Sequence, residues 1–305
     1  MEKIACVLAP MAGITDKPLR QLIRLFSDHI LYTEMVGIAS LCAGAPEMVR
    51  LLDLSGEHNI VVQFVGAEPE LMARAAVMAE KTGACGIDIN MGCPVKKLIS
   101  NESGASLMWH ADRAMALVRA AKKAVDIPVS AKIRIGWDEQ NILGPSFAFD
   151  LQQAGVDSLA VHGRFKVQGN TGPTRPDLIR QVVQAVSVPV WANGGVTTRD
   201  QTLEMLAQTG ASGVMIGQAI MGHPWLLAEI TDSQFVPPKV TDVMEEHLER
   251  LVAYYGERIG VQVLRKFIKP YLAPYAVPKE DIQKLYALTT QKEVITALKG
   301  LHLLD

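Results

Sequence analysis

Residues 82–90 read Thr-Gly-Ala-Cys-Gly-Ile-Asp-Ile-Asn, in which a glycine suited to ending a helix precedes a short apolar strand. The pattern returns where Ala154-Gly155 precedes Ser158–His162 and where Thr209-Gly210 precedes Gly213–Gly217. Residues 124–129 and 185–190 form a second echo, since Ala-Val-Asp-Ile-Pro-Val matches Ala-Val-Ser-Val-Pro-Val and both lead into apolar runs. These echoes indicate that one strand-and-helix unit is used several times.

Eight strand candidates follow from this pattern, and helical stretches such as Glu70–Lys81, Asp112–Ala124 and Thr198–Gln208 lie between most of them. The candidates are Ala5–Met11, Leu31–Val36, Ile60–Gly66, Gly86–Asn90, Ser130–Ile135, Ser158–His162, Trp191–Gly194 and Gly213–Gly217. Eight strands alternating with helices predict an α/β fold, the (β/α)8 TIM barrel. A doubly wound sheet is the alternative, but no Gly-x-Gly-x-x-Gly follows the first strand.

The strand pattern fades near Glu229, and Phe235–Lys239 reads Phe-Val-Pro-Pro-Lys, which is typical of a linker. Amphipathic helices are predicted beyond it at Thr241–Tyr255, Val261–Tyr271, Lys279–Leu288 and Lys292–Leu301. We therefore predict a catalytic barrel over residues 1–236, followed by a small C-terminal helical domain over residues 240–305.

Composition narrows the class of protein. The chain has 305 residues, 49% of them hydrophobic, and a formal net charge of −2, so it can bury a full core but has no strong field for nucleic acid or membrane. Its four cysteines show no paired metal spacing, so we predict no metal site and expect reduced thiols. Pro10 and Gly13 interrupt the apolar start, and no run reaches about 18 apolar residues. We expect a cytoplasmic protein without membrane attachment, and no protein partner is implied.

Polar residues gather where the predicted strands end, although a packed barrel interior would prefer Val, Ile and Leu there. The chemistry of such barrels lies at the C-terminal ends of the strands. These ends carry Pro10, Met11, Ala12 and Gly13; Glu34; Gln63; Asn90 with Cys93; Lys132 with Arg134; His162 with Arg164; Asn193 with Gly194 and Gly195; and Gly217 with Gln218. The sequence therefore predicts a ligand site at this end of the barrel.

Several of these residues allow two interpretations. The glycines of the last two strand ends suit a phosphate or serve tight turns. Lys132, inside a strand, needs a ligand or a buried carboxylate such as Asp88 or Glu34. Gln63 could bind the edge of a heterocycle or be satisfied by backbone. His162 could bind phosphate, bind a ring carbonyl, or be a satisfied core histidine.

The most informative candidate is the cysteine of Asn-Met-Gly-Cys-Pro, residues 90–94. Gly92 and Pro94 favour a tight turn that presents Cys93 at the end of the fourth strand. A thiol in that position can deliver a proton to a bound molecule. The alternative is a small thiol buried in the core.

Six motifs occur together: Ala9-Pro-Met-Ala-Gly-Ile-Thr-Asp16, Asp88-Ile-Asn-Met-Gly-Cys-Pro94 with Lys96 and Lys97, Lys132-Ile-Arg-Ile-Gly-Trp137, Val161-His-Gly-Arg164, Asn193-Gly194, and Met215-Ile-Gly217. In this order the chain resembles the bacterial tRNA-dihydrouridine synthases, most nearly their B type. The resemblance covers the barrel almost end to end and continues more weakly at Pro224-Trp225 and Val263–Tyr271. Three residues depart from the family's usual pattern: Gln218 replaces Arg, Gly195 replaces Asp and Phe165 replaces Thr.

This resemblance implies an enzyme that uses FMN and NADPH to reduce the C5=C6 bond of uridine in tRNA to 5,6-dihydrouridine. It implies that hydride passes from flavin N5 to C6 and that Cys93 protonates C5. On the same basis Pro10, Met11 and Ala12 line the flavin, whose ring system Gln63 and Lys132 contact. The remaining implied flavin residues are His162, Asn193, Gly194, Gly195, Gly217 and Gln218.

A tRNA substrate requires local basic groups, because the chain as a whole is not basic. The candidates at the barrel mouth are Lys96, Lys97, Arg134, Arg164 and Lys166, with Asn90 placed to orient the base or the flavin. Arg258, Arg265, Lys266 and Lys269 form a second group, the basic stripe. Its spacings of seven, eight and eleven put all four on one helix face, where they contact RNA or form an ordinary solvated surface.

Two other functions fit the same residues less well. A flavin barrel could act on free pyrimidines, as dihydroorotate dehydrogenases do, but a small substrate needs neither the helical domain nor the basic stripe. A non-catalytic RNA-binding barrel would bind tRNA whether or not Cys93 is present.

Overall fold

In a computed structural model that describes residues 4–301, eight parallel strands form a single sheet. The strands are β1 (Cys6–Leu8), β2 (Leu31–Gly37), β3 (Ile60–Val65), β4 (Gly86–Asn90), β5 (Val129–Arg134), β6 (Ser158–His162), β7 (Val190–Asn193) and β8 (Gly213–Ile216). Their order is β1-β8-β7-β6-β5-β4-β3-β2. The Leu8 N–H donates to the Ile30 carbonyl (3.1 Å), directly before β2, so the two ends of the sheet meet. The predicted TIM barrel is confirmed.

Helices separate the strands and make up the C-terminal part of the chain. They are α1 (Lys17–Arg24), α2 (Ile38–Cys42), α3 (Pro46–Leu51), α4 (Pro69–Lys81), α5 (Lys96–Ser100), α6 (Ala111–Ala124), α7 (Gly144–Gln153), α8 (Pro176–Ala185), α9 (Arg199–Thr209), α10 (Leu226–Thr231), α11 (Val240–Tyr255), α12 (Glu257–Leu272), α13 (Lys279–Ala287) and α14 (Gln291–Lys299). Short 3₁₀ helices cover Gly104–Trp109, Lys166–Gln168 and Gln218–Ile220. No helix within residues 4–301 is both long enough and apolar enough to cross a bilayer.

The chain divides into two compact units. The barrel unit contains the residues up to Thr15 and His29–Gly217, and the helical unit contains Asp16–Asp28 and the residues from Gln218 onward. The helical unit therefore includes α1, which lies between β1 and β2 in the sequence. The predicted domain over residues 240–305 stays a prediction, and the outermost residues of the two predicted domains, 1–3 and 302–305, lie outside the described residues.

The glycines of the sequence echo have a conformational reason. Gly83, Gly155 and Gly210 have φ of 87°, 98° and 71°, in the left-handed region that favours glycine. Each follows a helix and reverses the chain toward the next strand. The strands themselves are almost wholly buried, as a parallel sheet covered by helices requires. A buried cluster of Val7, Ala9, Tyr32, Val61, Ala160 and Met215 packs together from five of the strands and the end of β1.

Two predicted boundaries differ from the structure by more than two residues. Strand β1 ends at Leu8 instead of Met11, because the Met11 N–H donates to Thr15 Oγ1 (3.0 Å) and the Thr15 N–H donates to the Met11 carbonyl (3.0 Å), which closes a turn. Helix α12 begins at Glu257, four residues before the predicted Val261, because Gly256 with φ of 80° separates it from α11.

Candidate active site

The C-terminal ends of the central strands bring most of the predicted polar residues together. The strand register pairs Asn90 with Lys132, Arg134 with His162, and His162 with Asn193. Lys132 is half-buried, and the other four of these side chains are at most 9% exposed. Gln63, on β3, is also buried. Because parallel strands end at one rim, these side chains form a single polar layer at the mouth of the barrel.

A chain of hydrogen bonds links four side chains: Asn90, Gln63, Asp88 and Ser130. Gln63 Nε2 donates to Asp88 Oδ2 (2.7 Å), and Asn90 Nδ2 donates to Gln63 Oε1 (2.8 Å). Ser130 Oγ donates to the other carboxylate oxygen of Asp88 (2.7 Å). Gln63 and Asn90 are therefore oriented by their neighbours before any ligand binds. Gln63 keeps one N–H and one lone pair for a ligand.

Asn90 also holds the turn that carries Cys93. Its Oδ1 accepts from the backbone N–H groups of Gly92 (3.2 Å) and Cys93 (3.0 Å). On the other side, the Ala105 N–H donates to the Cys93 carbonyl (3.0 Å). The Cys93 side chain is half-buried, so the thiol lies in an ordered turn and stays within reach of a ligand.

Arg134 does not present its charge to solvent, since it is 3% exposed. Its Nε donates to the Gly92 carbonyl (2.7 Å), and its Nη1 donates to the carbonyls of Phe165 (3.1 Å) and Gly169 (2.6 Å). Nη2 reaches Asn170 Oδ1 (3.3 Å). Arg134 thus ties the Cys93 turn to the loop after β6. The sequence predicts a contact of Arg134 with the substrate and does not predict these bonds.

Lys132 is paired with an amide and not with a carboxylate. Its Nζ donates to Asn193 Oδ1 (2.8 Å), and Asn193 Nδ2 donates to the Met215 carbonyl (2.7 Å). Burial and the nearby Arg134 charge lower the pKa of Lys132 to about 8. At neutral pH the ammonium group stays mainly protonated beside a neutral partner, so its charge remains available to a ligand.

Asp88 is the residue of this layer that sequence reasoning treated only as a possible partner of Lys132. It is fully buried, and burial raises its pKa to about 6 although hydrogen bonds from Gln63 and Ser130 oppose the shift. The signal available in the sequence was an acid two residues before Asn90 in an otherwise apolar strand, which places both on the same face.

His162 is neutral in this environment. Burial, followed by the charges of Lys132, Arg134 and Arg164, lowers its pKa to about 2. Arg164 Nη1 lies 3.2 Å from His162 Nε2, so Nε2 accepts and the ring proton is assigned to Nδ1. Arg164 Nε also donates to the Gly172 carbonyl (2.8 Å). His162 can therefore offer a neutral hydrogen bond, but not a positive charge, to a phosphate.

A glycine pair follows β7 and leaves backbone donors available. Gly194 and Gly195 have φ of 117° and 78°, and a Cβ at Gly194 would lie 2.9 Å from both His162 Cδ2 and Thr174 Cγ2. Neither backbone N–H of the pair has a hydrogen-bond partner among residues 4–301. Two adjacent free N–H groups without side chains form a suitable cradle for an anion.

The turn after β1 lies against the end of β8. A Cβ at Gly217 would lie 3.9 Å from Met11 Sδ, an ordinary contact distance. Pro10 and Met11 are half-buried and Ala12 is exposed, so this turn borders an open rim. Gln218 is exposed and belongs to the helical unit.

The predicted basic residues differ in how exposed they are. Lys96 and Lys97 are exposed on α5, and Arg258, Lys266 and Lys269 are exposed on α12. Arg265 is half-buried, and its Nη2 donates to the Leu288 carbonyl (3.0 Å), so part of this guanidinium holds the segment after α13. No cluster of His, Cys, Asp and Glu that could hold a metal ion occurs in the described part of the chain.

These features define a (β/α)8 barrel protein with a buried cluster of polar and basic side chains at its mouth, a candidate binding site, beside the half-buried Cys93 thiol. The dihydrouridine synthase (Dus) family profile matches residues 7–301. A probable tRNA-dihydrouridine synthase of Rhizobium leguminosarum bv. phaseoli is 37% identical over 302 residues, which covers 98% of this chain and 95% of that protein. The tRNA-dihydrouridine synthase B of Pseudomonas aeruginosa is 38% identical over 276 residues, which covers 88% of this chain and 83% of that protein. The chain belongs to the dihydrouridine synthase family.

Among solved structures, FabK of Thermotoga maritima is similar with a TM-score of 0.46 and 16% identity, over 72% of this chain and 63% of that one. That likeness is too low to inform the site.

Proposed function

We propose that the protein reduces uridine in tRNA to 5,6-dihydrouridine, using FMN as its cofactor and NADPH as the reductant. The observation that carries this proposal is the half-buried Cys93, held in its turn at the same rim as Lys132 and the Gly194–Gly195 cradle. An acid, a fixed positive charge and an anion cradle are what a flavin-dependent reduction of a pyrimidine needs from a protein.

FMN fits the chemistry of the available donors. Its phosphate matches the free N–H groups of Gly194 and Gly195. The atoms nearest to a Cβ at either glycine belong to the neutral side chains of His162 and Thr174. Its ring system offers carbonyl and nitrogen acceptors for the Lys132 ammonium group and the remaining N–H of Gln63. Pro10, Met11 and Ala12 would border the ring, because they line the open rim next to Gly217.

Bound FMN would supply the hydride that adds to C6 of uracil. Cys93 would then act as the general acid and donate its Sγ proton to C5. Asn90 and Arg134 position the acid, because both bind the backbone of its turn. Lys132 would place a positive charge beside the cofactor. Its partner is the neutral amide of Asn193, so no carboxylate neutralises this charge through a direct hydrogen bond.

The target base must leave its stack to reach the mouth of a barrel, so the enzyme requires a flipped base or an opened tRNA loop. Lys96 and Arg164 are proposed to contact RNA near the mouth, and the exposed members of the basic stripe to bind its phosphates. A tRNA substrate assigns the reaction to the cytoplasm. The choice of NADPH over NADH rests on the family resemblance.

An FMN titration followed by a turnover assay tests this proposal. We expect the protein to bind FMN with a shift of its visible spectrum, and to form dihydrouridine in an unmodified tRNA transcript when NADPH is added. Lys132→Met should weaken FMN binding, whereas Lys123→Met, at an exposed site in the last turn of α6, should not. Failure to bind FMN, or efficient reduction of free uridine or orotate with none of tRNA, would refute the proposal.

A further inference from the structure

We propose that Trp109 is a stacking platform for an unpaired base that flanks the target uridine, with Lys166 binding the adjoining phosphate. This inference rests on the proposed function, because it deepens how that site recognises RNA. None of the motifs that define the site uses Trp109, and no metal or cofactor is involved.

The platform consists of two indole rings and one ammonium group, of which the Trp109 ring is exposed and the other two groups are half-buried. The rings of Trp109 and Trp137 are 6.0 Å apart and inclined at 59°, and Lys166 Nζ lies 4.1 Å from the centroid of the Trp137 ring. Trp109 is 48% exposed, while Trp137 is half-buried beneath Lys166. Trp137 therefore buttresses Trp109, whose remaining ring surface is open to a ligand.

All three side chains come from loops at the C-terminal rim of the barrel. Trp109 ends the 3₁₀ helix between β4 and α6, Trp137 follows β5, and Lys166 follows β6. These are the loops that carry the chemistry in this fold. Backbone bonds join the last two, because the Lys166 N–H donates to the Gly136 carbonyl (3.0 Å) and the Val167 N–H donates to the Trp137 carbonyl (3.1 Å).

The platform is also tied to the Cys93 turn. The 3₁₀ helix that ends at Trp109 contains Ala105, whose N–H binds the Cys93 carbonyl (3.0 Å). Trp109 lies four positions after Ala105 in this 3₁₀ helix, which corresponds to about 8 Å along the axis. That spacing places the platform close enough for a nucleotide next to one held at Cys93.

The chemistry of the platform favours a nucleotide. Lys166 supplies a cation directly over the Trp137 ring. Of the acids near the platform in sequence, Asp138 Oδ1 accepts from the Asn141 side chain (2.7 Å) and Glu102 pairs with Arg113, whereas Asp112 and Glu139 are exposed to solvent. An aromatic face beside an ammonium group matches a base and its phosphate, the two parts that single-stranded RNA presents. An apolar peptide would have no use for the ammonium group.

Phe149 on α7 provides an internal control. It is as exposed as Trp109, at 48%, and lies on a helix, not on a rim loop. No ring or cation contact involving Phe149 occurs within residues 4–301. Exposure of a large apolar side chain is common by itself; the combination with a second ring and a cation is what sets Trp109 apart.

The test measures the affinity of the full chain for a fluorescently labelled, unmodified tRNA transcript and for a blunt RNA duplex of equal length. Trp109→Ala should weaken tRNA binding about 5- to 100-fold, the usual effect of removing one stacking residue, and should leave duplex binding unchanged. Trp109→Phe should restore most of the affinity, and Phe149→Ala should bind tRNA like the wild type. Lys166→Met should lower the dependence of log K on log salt by about one.

Equal tRNA affinities for wild type, Trp109→Ala and Phe149→Ala would overturn the inference, as would an equal loss on the duplex. A chain that binds no tRNA would overturn it as well. The proposed function fails separately, since it requires the wild type to form dihydrouridine. If the wild type does so and Trp109→Ala has the same KM for tRNA, the platform alone is wrong.

Discussion

The rim of the barrel and the basic stripe on α12 both consist of polar residues that were predicted from sequence, yet they are built differently. At the rim, buried side chains bind one another and the backbone, as Asn90 does with Gln63 and the Cys93 turn. On α12, most of the stripe is exposed, and Arg265 is the member tied to a carbonyl. Buried polar groups are geometrically fixed and poorly screened, whereas exposed charges are screened by salt. Substitutions at the rim should therefore reduce the reaction rate or the stability of the protein far more than substitutions on the stripe reduce its affinity for tRNA.

The greatest loss is expected at the general acid. Cys93→Ala should lower the rate of dihydrouridine formation about 10²- to 10⁴-fold, because C5 would lose its proton donor. The measurement is a single-turnover assay with FMN-loaded protein, NADPH and tRNA transcript. Cys42→Ala, at another half-buried cysteine of the barrel unit, should keep the wild-type rate. A Cys93→Ala variant as fast as Cys42→Ala would remove Cys93 from the mechanism.

Arg134 should affect both stability and rate, because it holds the turn that positions Cys93. Arg134→Met breaks bonds to Gly92, Phe165 and Gly169 and takes the arginine partner from the half-buried carbonyls of Gly92 and Gly169, whereas the Phe165 carbonyl keeps the Gln168 N–H. A fully buried carbonyl left unpaired costs about 1–3 kcal/mol. We expect a loss of several kcal/mol in urea unfolding, together with a lower kcat. The matched variant Arg164→Met, at a half-buried arginine bound to His162 and one carbonyl, should lose less stability. Equal losses of stability for the two variants would contradict the role of Arg134 in tying the Cys93 turn to the loop after β6.

Asp88 should make stability depend on pH. Its pKa is raised to about 6 from its ordinary 3.8, so the folded chain holds the proton more tightly than the unfolded chain. Stability is therefore lost as the pH rises from about 4 to about 6, by about 3 kcal/mol for a shift of this size. Asp88→Asn removes this titration, and its unfolding free energy relative to wild type should rise over that interval.

Urea unfolding at pH 4 and pH 6.5 measures this effect. Asp112→Asn, at an exposed acid in the first turn of α6, serves as the control and should show no comparable change between the two pH values. A difference between wild type and Asp88→Asn that is the same at both pH values would contradict the buried carboxylate.

The stripe should give the mildest effect. Lys269→Ala should lower the slope of log K against log salt for tRNA by about one, because an exposed lysine contributes one phosphate contact. Arg265→Ala should instead lower the stability of the chain, since it removes the bond to Leu288. Lys123→Ala should change neither quantity. If Lys269→Ala leaves the slope unchanged, the stripe is an ordinary solvated face.

Much of the barrel could be predicted from sequence, because glycines such as Gly83 and Gly155 mark helix ends and apolar runs mark buried strands. The rim residues could be identified for a similar reason, since Gln63 and Lys132 interrupt apolar strands. Their partners could not be identified, because a hydrogen bond such as that between Lys132 and Asn193 depends on side chains 61 positions apart in the chain. The end of β1 was misplaced because the Met11–Thr15 turn depends on a side-chain hydroxyl and not on apolar pattern.

The central claim is that electrons pass from a flavin in this barrel to a uracil of tRNA. It is tested most directly by loading the protein with FMN, reducing it with one equivalent of NADPH in the absence of oxygen, and adding unmodified tRNA transcript. We predict that the flavin absorbance returns and that dihydrouridine appears in equal amount. A flavin that stays reduced with tRNA, but is reoxidised by free uridine or orotate, would contradict the claim.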